Sequence, residues 1–179
     1  MSKLLNAEIK AASLYQRAER YWSDGKLRFA LRFFLEAAEA GCVPAFEKVA
    51  QFYDNGTGAK ANRDSALHWY LRAYREEGRW YRKKYRLGLS SSANNIGCIL
   101  RDKQKPKAAL SWFKRAVRLG DGDANLQIAK IYLRSERDRG KAINYLQKTI
   151  KAPYVTDGSI EEAKALLKEI RTKRPRRAK

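Results

Sequence analysis

The chain has 179 residues, of which 44% are hydrophobic, and its 39 Lys and Arg against 19 Asp and Glu give a formal net charge of +20. This hydrophobic content is enough for a continuous core and argues against disorder throughout the chain. No segment approaches the roughly 18 consecutive apolar residues that a membrane-spanning helix needs. The N-terminal segment carries charges within every apolar stretch, unlike a secretory signal, and the two cysteines lie far apart, so we expect a cytoplasmic protein with reduced thiols.

The positive charge is concentrated in the second half of the chain. Residues 1–78 contain 12 Lys and Arg against 10 Asp and Glu, whereas residues 79–179 contain 27 against 9. The corresponding net charges are +2 and +18. This asymmetry indicates either that the second half meets an acidic partner or that it carries excess charge for solubility.

A pattern of five positions recurs four times. A small residue is followed three positions later by a large apolar one; further on, an alanine is followed by a large apolar residue four positions later and a small residue three after that. The four sets are Ala18, Tyr21, Ala30, Phe34 and Ala37; Ala50, Tyr53, Ala66, Tyr70 and Ala73; Gly97, Leu100, Ala109, Phe113 and Ala116; and Ala129, Tyr132, Ala142, Leu146 and Thr149. Offsets of three, four and seven lie on one helix face, so we predict about four antiparallel helix hairpins.

The spacing of these sets is interrupted once. From Ala73 to Gly97 there are 24 positions, where the corresponding spacing in the other two gaps is 13. We assign the extra residues to an insertion at residues 79–90. The hairpin units are then predicted at residues 10–44, 45–78, 91–122 and 123–152.

The insertion contains five basic residues and no acidic one. In a helix four of these basic residues share one face, and the aromatic residues lie on the other side. The functional interpretation is a basic ledge that meets a phosphate backbone or an acidic protein surface. The alternative is a lengthened helix whose basic face is only solvated. The predicted partner-binding residues of the basic ledge are Arg79, Trp80, Arg82, Lys83 and Arg86.

The array is predicted to cover residues 1–158 and to be followed by a capping helix and basic tail at 159–179. Pro153 and Gly158 break the helical pattern. The segment from Ser159 to Glu162 has the form of a capping box, which would open a helix at about residues 160–171.

The first two units resemble known repeats. The first is similar to a tetratricopeptide repeat through Leu14, Arg17, Ala18 and Tyr21 followed by Ala30, Phe34 and Ala37, although Arg17 stands where Leu is usual. The second resembles the Sel-one-like variant through Tyr53, Gly56, Gly58, Asn62, Ala66, Trp69, Tyr70 and Ala73. The resemblance implies an all-α solenoid of helix hairpins that serves as a scaffold or adaptor.

The same resemblance implies where a ligand would bind. Tetratricopeptide arrays usually bind on an inner surface made by the first helix of each hairpin. The residues that this placement selects as an inner groove are Tyr15, Trp22, Gln51, Asn94, Arg101 and Lys130. With Glu19 and Glu47 in the first half, the groove is expected to change from acidic to basic along the chain.

No catalytic residue, metal site or cofactor is predicted. The only histidine, His68, adjoins Trp69 in a repeat helix, and no Cys/His cluster has metal-ligand spacing. The predicted function is therefore protein–protein interaction, as an adaptor, chaperone or inhibitor-like module for an acidic protein or peptide. The alternative is nucleic-acid binding through the basic second half and tail. Both partners suit Lys and Arg, and the sequence leaves the oligomeric state open.

Overall fold

The computed structural model of the protein describes residues 2–80 and 87–172. Within these residues the chain forms nine α-helices and no strand, which confirms the predicted all-α class. The helices are α1 (Ser2–Ser23), α2 (Leu27–Glu39), α3 (Val43–Asn55), α4 (Arg63–Trp80), α5 (Leu87–Asp102), α6 (Pro106–Arg118), α7 (Asp123–Arg134), α8 (Arg139–Lys151) and α9 (Asp157–Thr172). They fall into two compact units, Met1–Tyr85 and Arg86–Lys179.

Each unit is built from helix hairpins. In the first unit α1 packs on α2 and α3 on α4, while α2 also contacts α3. In the second unit α5 packs on α6 and α7 on α8, with further contacts from α6 to α7 and from α8 to α9. The solenoid of hairpins predicted from the repeat is thus present in both units.

The recurring positions of the sequence pattern form the cores. The alanine and the second large apolar residue of every set are buried, with at most 2% of their surface exposed. Small residues at the fixed positions let paired helices approach, because a larger side chain would force them apart. At Gly97, a Cβ atom would lie 2.6 Å from Cε1 of Phe113 on the facing helix α6. This contact explains why the third set begins with glycine where the others have alanine.

The turns that close the first and third hairpins share one pattern of backbone hydrogen bonds. In the first hairpin the amides of Gly25 and Lys26 donate to carbonyls of the preceding helical turn at 3.0 and 2.9 Å, and Gln104 and Lys105 make the same two bonds in the third hairpin. Gly25 has a φ of +71°, and Gln104 has +58°. In the fourth hairpin the left-handed residue is Arg137, with a φ of +50°. Helices commonly end with a residue in the left-handed conformation, and that residue is usually glycine. Gln104 and Arg137 adopt it with a full side chain.

The start of α9 differs from the prediction. The helix begins at Asp157, so the expected capping box at Ser159 is wrong. The hydroxyl of Thr156 accepts a hydrogen bond from the Ser159 amide at 3.3 Å, and Thr156 itself donates to Asp123 Oδ1 on α7 at 2.9 Å. The start is therefore set by a contact between residues 33 positions apart, which a local pattern does not encode. Helix α5 also begins earlier than the predicted third unit, inside the segment assigned to the insertion.

Candidate functional site

In the first unit, the predicted groove residues lie where α1 meets α3. The Trp22 ring packs edge-on against Phe52, with ring centroids 6.3 Å apart, and Trp22 is 42% exposed. Lys48 Nζ lies 4.1 Å from the centroid of the same ring. Gln51, one turn further along α3, donates to Glu47 Oε1 at 3.4 Å. This face therefore presents an aromatic surface bordered by a cation and polar groups.

Tyr15 lies two turns before Trp22 on α1. Its ring packs edge-on against Phe34, with centroids 5.4 Å apart. Burial raises the pKa of the Tyr15 hydroxyl above its ordinary value, and the carboxylates of Glu19 and Glu47 raise it further. At neutral pH the group is a protonated hydroxyl beside two acids. The carboxylates of Glu19 and Glu47 thus lie near the Tyr15 hydroxyl, and the acidic end of the groove stays a prediction.

In the second unit, α5, α7 and α9 lie in a row, linked by polar side chains. Arg101 on α5 donates from Nη1 to Gln127 Oε1 on α7 at 2.5 Å, and its Nε contacts Asp102 at 2.9 Å. Lys130 on α7 contacts Glu162 on α9 at 2.8 Å. The predicted Arg101 and Lys130 are therefore brought to one face, and each is held by neighbouring polar groups.

Arg101 and Lys130 border one cavity of about 350 Å³, named here the Arg101 cavity. Its other lining residues include Gln104 in the α5–α6 turn and Arg134 at the end of α7. Arg134 was not among the predicted residues. It follows Lys130 by one helical turn, so the i to i+4 spacing on α7 was the signal that would have selected it.

A second cavity of about 480 Å³, the Arg137 cavity, is also bordered by Arg134. Its apolar lining comes from Leu133 at the end of α7 and from Leu166 and Ile170 on α9. Its charged lining consists of Arg134, Arg137, Arg139 and Glu169. Sequence reasoning missed this cavity because it is formed by a hairpin turn and the final helix, two segments that carry no shared motif.

The three arginines of the Arg137 cavity differ from Arg101 and Lys130 in their surroundings. Arg134 and Arg137 are exposed and Arg139 is half-buried. Within the described part of the chain, no carboxylate forms an ion pair with any of the three, whereas Lys130 is paired with Glu162. Among the described basic residues that line the two cavities, these three arginines are therefore the ones whose charge is not paired with a carboxylate.

Asn94 borders neither of these two cavities. Its side-chain amide bonds to the carboxylate of Asp121, while its own Oδ1 is buried without a partner among the described residues. Asp121 accepts from the Ala124 amide at 3.0 Å at the start of α7. Burial raises the pKa of Asp121 above its ordinary value. In this arrangement Asn94 connects α5 to the α6–α7 turn.

The basic ledge lies largely outside the described residues. Arg82, Lys83 and Arg86 fall in the segment 81–86, and the side chains of Arg79 and Trp80, at the end of α4, also lie outside the described part. The ledge stays a prediction.

Across residues 2–80 and 87–172, no three His, Cys, Asp or Glu side chains are grouped as metal ligands. The same residues contain no helix with the length and apolar character needed to cross a membrane. His68 packs edge-on against Trp69, with ring centroids 5.7 Å apart.

The fold and the two polar surfaces define a protein of the helical-hairpin repeat class. The family model of the Sel1 repeat matches residues 25–42, 47–77, 84–121 and 122–154, more than half of the chain. The chain belongs to the Sel1 repeat family. Repeats of this kind generally mediate protein–protein interaction, and the family is typically a non-catalytic scaffold. A comparison with curated protein sequences gives no match.

Solved structures share the fold at low sequence identity. A Sel1 repeat protein from Oxalobacter formigenes is 19% identical with a TM-score of 0.65, over 89% of this chain and 62% of that one. Pseudomonas aeruginosa PilF is 18% identical with a TM-score of 0.66, over 91% and 71%. MamA is 18% identical with a TM-score of 0.58, over 87% and 88%. This chain thus spans less than two thirds of the Oxalobacter protein, and these likenesses show the fold alone.

Proposed function

We propose that the protein is a non-catalytic cytoplasmic adaptor, chaperone or inhibitor-like module that binds an acidic protein or peptide through its inner groove and basic second half. The observation that carries the proposal is the group of arginines at the end of α7 and in the α7–α8 turn. They border two cavities and have no carboxylate partner among the described residues. An acidic ligand would supply the missing partners.

The chemistry of arginine suits this role. The planar guanidinium binds a carboxylate through two parallel hydrogen bonds and remains charged at any physiological pH. Exposed ion pairs contribute only about 0.2–1 kcal/mol each, so several must act together. Arg134 borders both cavities, which supports a part for it in this binding. Arg101 and Lys130 add charge that is already held in position by Gln127 and Glu162.

The first unit and the basic ledge extend the proposal. Trp22 offers an exposed ring that packs on Phe52 of α3, and Tyr15 and Gln51 lie on the same two helices, α1 and α3. These residues suit an apolar or hydrogen-bonding side chain of the partner. The ledge, which rests on its sequence alone, would add further positive charge. Its contribution to binding is tested by replacing its basic residues with glutamine and measuring peptide affinity.

The proposal is tested with a fluorescently labelled nonaglutamate peptide and a labelled 20-base-pair DNA duplex, each titrated with the full chain and followed by anisotropy. We expect the peptide to bind with an affinity that falls as salt is raised, because ion contacts are screened. Arg134→Gln should weaken peptide binding about two- to fivefold. Arg118→Gln is the matched control, since Arg118 is exposed on α6 and borders neither cavity.

Two results would contradict the proposal. One is the absence of peptide binding at physiological salt. The other is preferential binding of the duplex, with a log–log salt slope that falls by about 0.9 for every phosphate contact removed. That second result would favour the nucleic-acid function, which the charge of the second half also suits.

A further inference from the structure

The Arg137 cavity combines two kinds of lining. Leu133, Leu166 and Ile170 give it an apolar wall. Ile170 belongs to a hydrophobic core cluster of the second unit, and Leu166 packs against that cluster. The charged lining consists of three arginines, at the end of α7, in the α7–α8 turn and at the start of α8, together with one acidic residue, Glu169 on α9. At about 480 Å³ it has ample room for one large side chain, since a cavity of about 150 Å³ accepts benzene.

The backbone conformation of the α7–α8 turn supports a role for the Arg137 side chain in binding. The equivalent position of the first hairpin is Gly25, which adopts the left-handed conformation without steric cost. At Arg137 the chain holds a long side chain in that conformation, and Gln104, which borders the Arg101 cavity, is a second case. Strained residues of this kind are found at binding sites, where the side chain is needed despite its cost. Here both are cavity-lining residues.

We propose that the Arg137 cavity is a specificity subsite that takes a large apolar side chain flanked by carboxylates. This inference rests on the proposed function, because the carboxylates belong to the acidic partner. The apolar side chain contacts Leu166 and Leu133, while the flanking carboxylates pair with Arg137 and Arg139. The partner is thus an acidic segment that carries a leucine- or phenylalanine-sized residue, rather than any polyanion.

The test compares two labelled nonapeptides that have four glutamates on each side of a central leucine or a central alanine. Leucine buries about three more carbon atoms than alanine, and each buried methylene favours binding. We expect the leucine peptide to bind the full chain about tenfold more tightly, a difference of about 1.4 kcal/mol. Leu166→Ala should reduce this preference to about twofold and leave the affinity for the alanine peptide unchanged.

Leu167→Ala is the control for that variant. Leu167 is the next residue of α9, is also half-buried against the same core, and does not border the cavity. It should keep the tenfold preference. Arg137→Gly provides a second variant that does not reduce packing, and it should weaken binding of both peptides about threefold. Thermal melting checks that each variant is folded.

The outcomes separate this inference from the proposed function. Equal binding of the two peptides overturns the subsite and leaves acidic-peptide binding in place. A leucine preference that survives Leu166→Ala in a folded protein, or affinities unchanged by Arg137→Gly, also overturns it. Failure of both peptides to bind overturns the subsite together with the proposed function.

Discussion

Replacing the two left-handed turn residues by glycine should stabilise the protein. In an L-amino acid the left-handed conformation costs about 1–2 kcal/mol, which glycine avoids. Glycine in turn loses more backbone entropy on folding, by about 0.5–1 kcal/mol. The difference predicts that Gln104→Gly and Arg137→Gly each raise the free energy of unfolding by about 0.5–1 kcal/mol.

The first hairpin offers the reverse change in the same setting. A Cβ atom on Gly25 would meet no other atom within 4 Å, so a substitution there adds backbone strain without a steric clash. Gly25→Gln should therefore destabilise the protein by an amount similar to the gain at Gln104. For a domain of this size, 1 kcal/mol corresponds to about 2–4 °C in Tm.

Thermal melting followed by circular dichroism at 222 nm measures these differences. The expected result is a higher Tm for Gln104→Gly and Arg137→Gly and a lower Tm for Gly25→Gln. A lower Tm for both glycine variants would refute the reasoning, because it would mean that the native side chains stabilise the turns more than their backbone strain costs. Arg137→Gly is of particular interest because it should gain stability while losing affinity for acidic peptides.

Three further predictions concern the core, a buried acid and the basic ledge. Ala109→Leu should cost about 1–3 kcal/mol by overpacking, and an unchanged melting curve would contradict the assigned repeat positions. Burial raises the pKa of Asp121 in the folded state above 3.8, so the free energy of unfolding should decrease as the pH rises from 3.8 through the folded-state pKa. Asp121→Asn should make this decrease shallower, as measured by thermal melts at a series of pH values. Changing all four basic residues of the ledge to Gln should leave the helix content unchanged and make peptide binding weaker and less salt-dependent; unchanged binding would make the ledge a solvated face. The four are Arg79, Arg82, Lys83 and Arg86.

Much of the fold follows from the sequence because helix packing has a local period. The small and large apolar positions recur at offsets of three and four, and burial of those positions is what joins two helices into a hairpin. For the same reason Arg101 and Lys130, chosen by their repeat position, lie on one face of the second unit. The spacing of residues along the chain was therefore sufficient to predict the structure wherever equivalent helices of successive hairpins pack in the same way.

The remaining features depend on contacts between distant residues or on backbone conformation. Thr156 caps α9 because Asp123, on α7, holds it. Asn94 was assigned to the groove, but it also bonds to Asp121, which follows it by 27 positions. The left-handed residue of the α7–α8 turn is Arg137 and not a glycine, so the residue type gave no indication of this backbone conformation. The cavity that Arg137 borders could not be predicted from the sequence for the same reason.

Two-dimensional ¹H–¹⁵N NMR of the 20.6 kDa protein, titrated with the leucine-containing acidic nonapeptide, tests the central claim most directly. We expect chemical-shift changes within residues 130–139 and 166–170, the segments that contribute most of the lining of the two cavities of the second unit. Changes confined to residues 79–90 or to α1 and α3, or no changes at all, would contradict it.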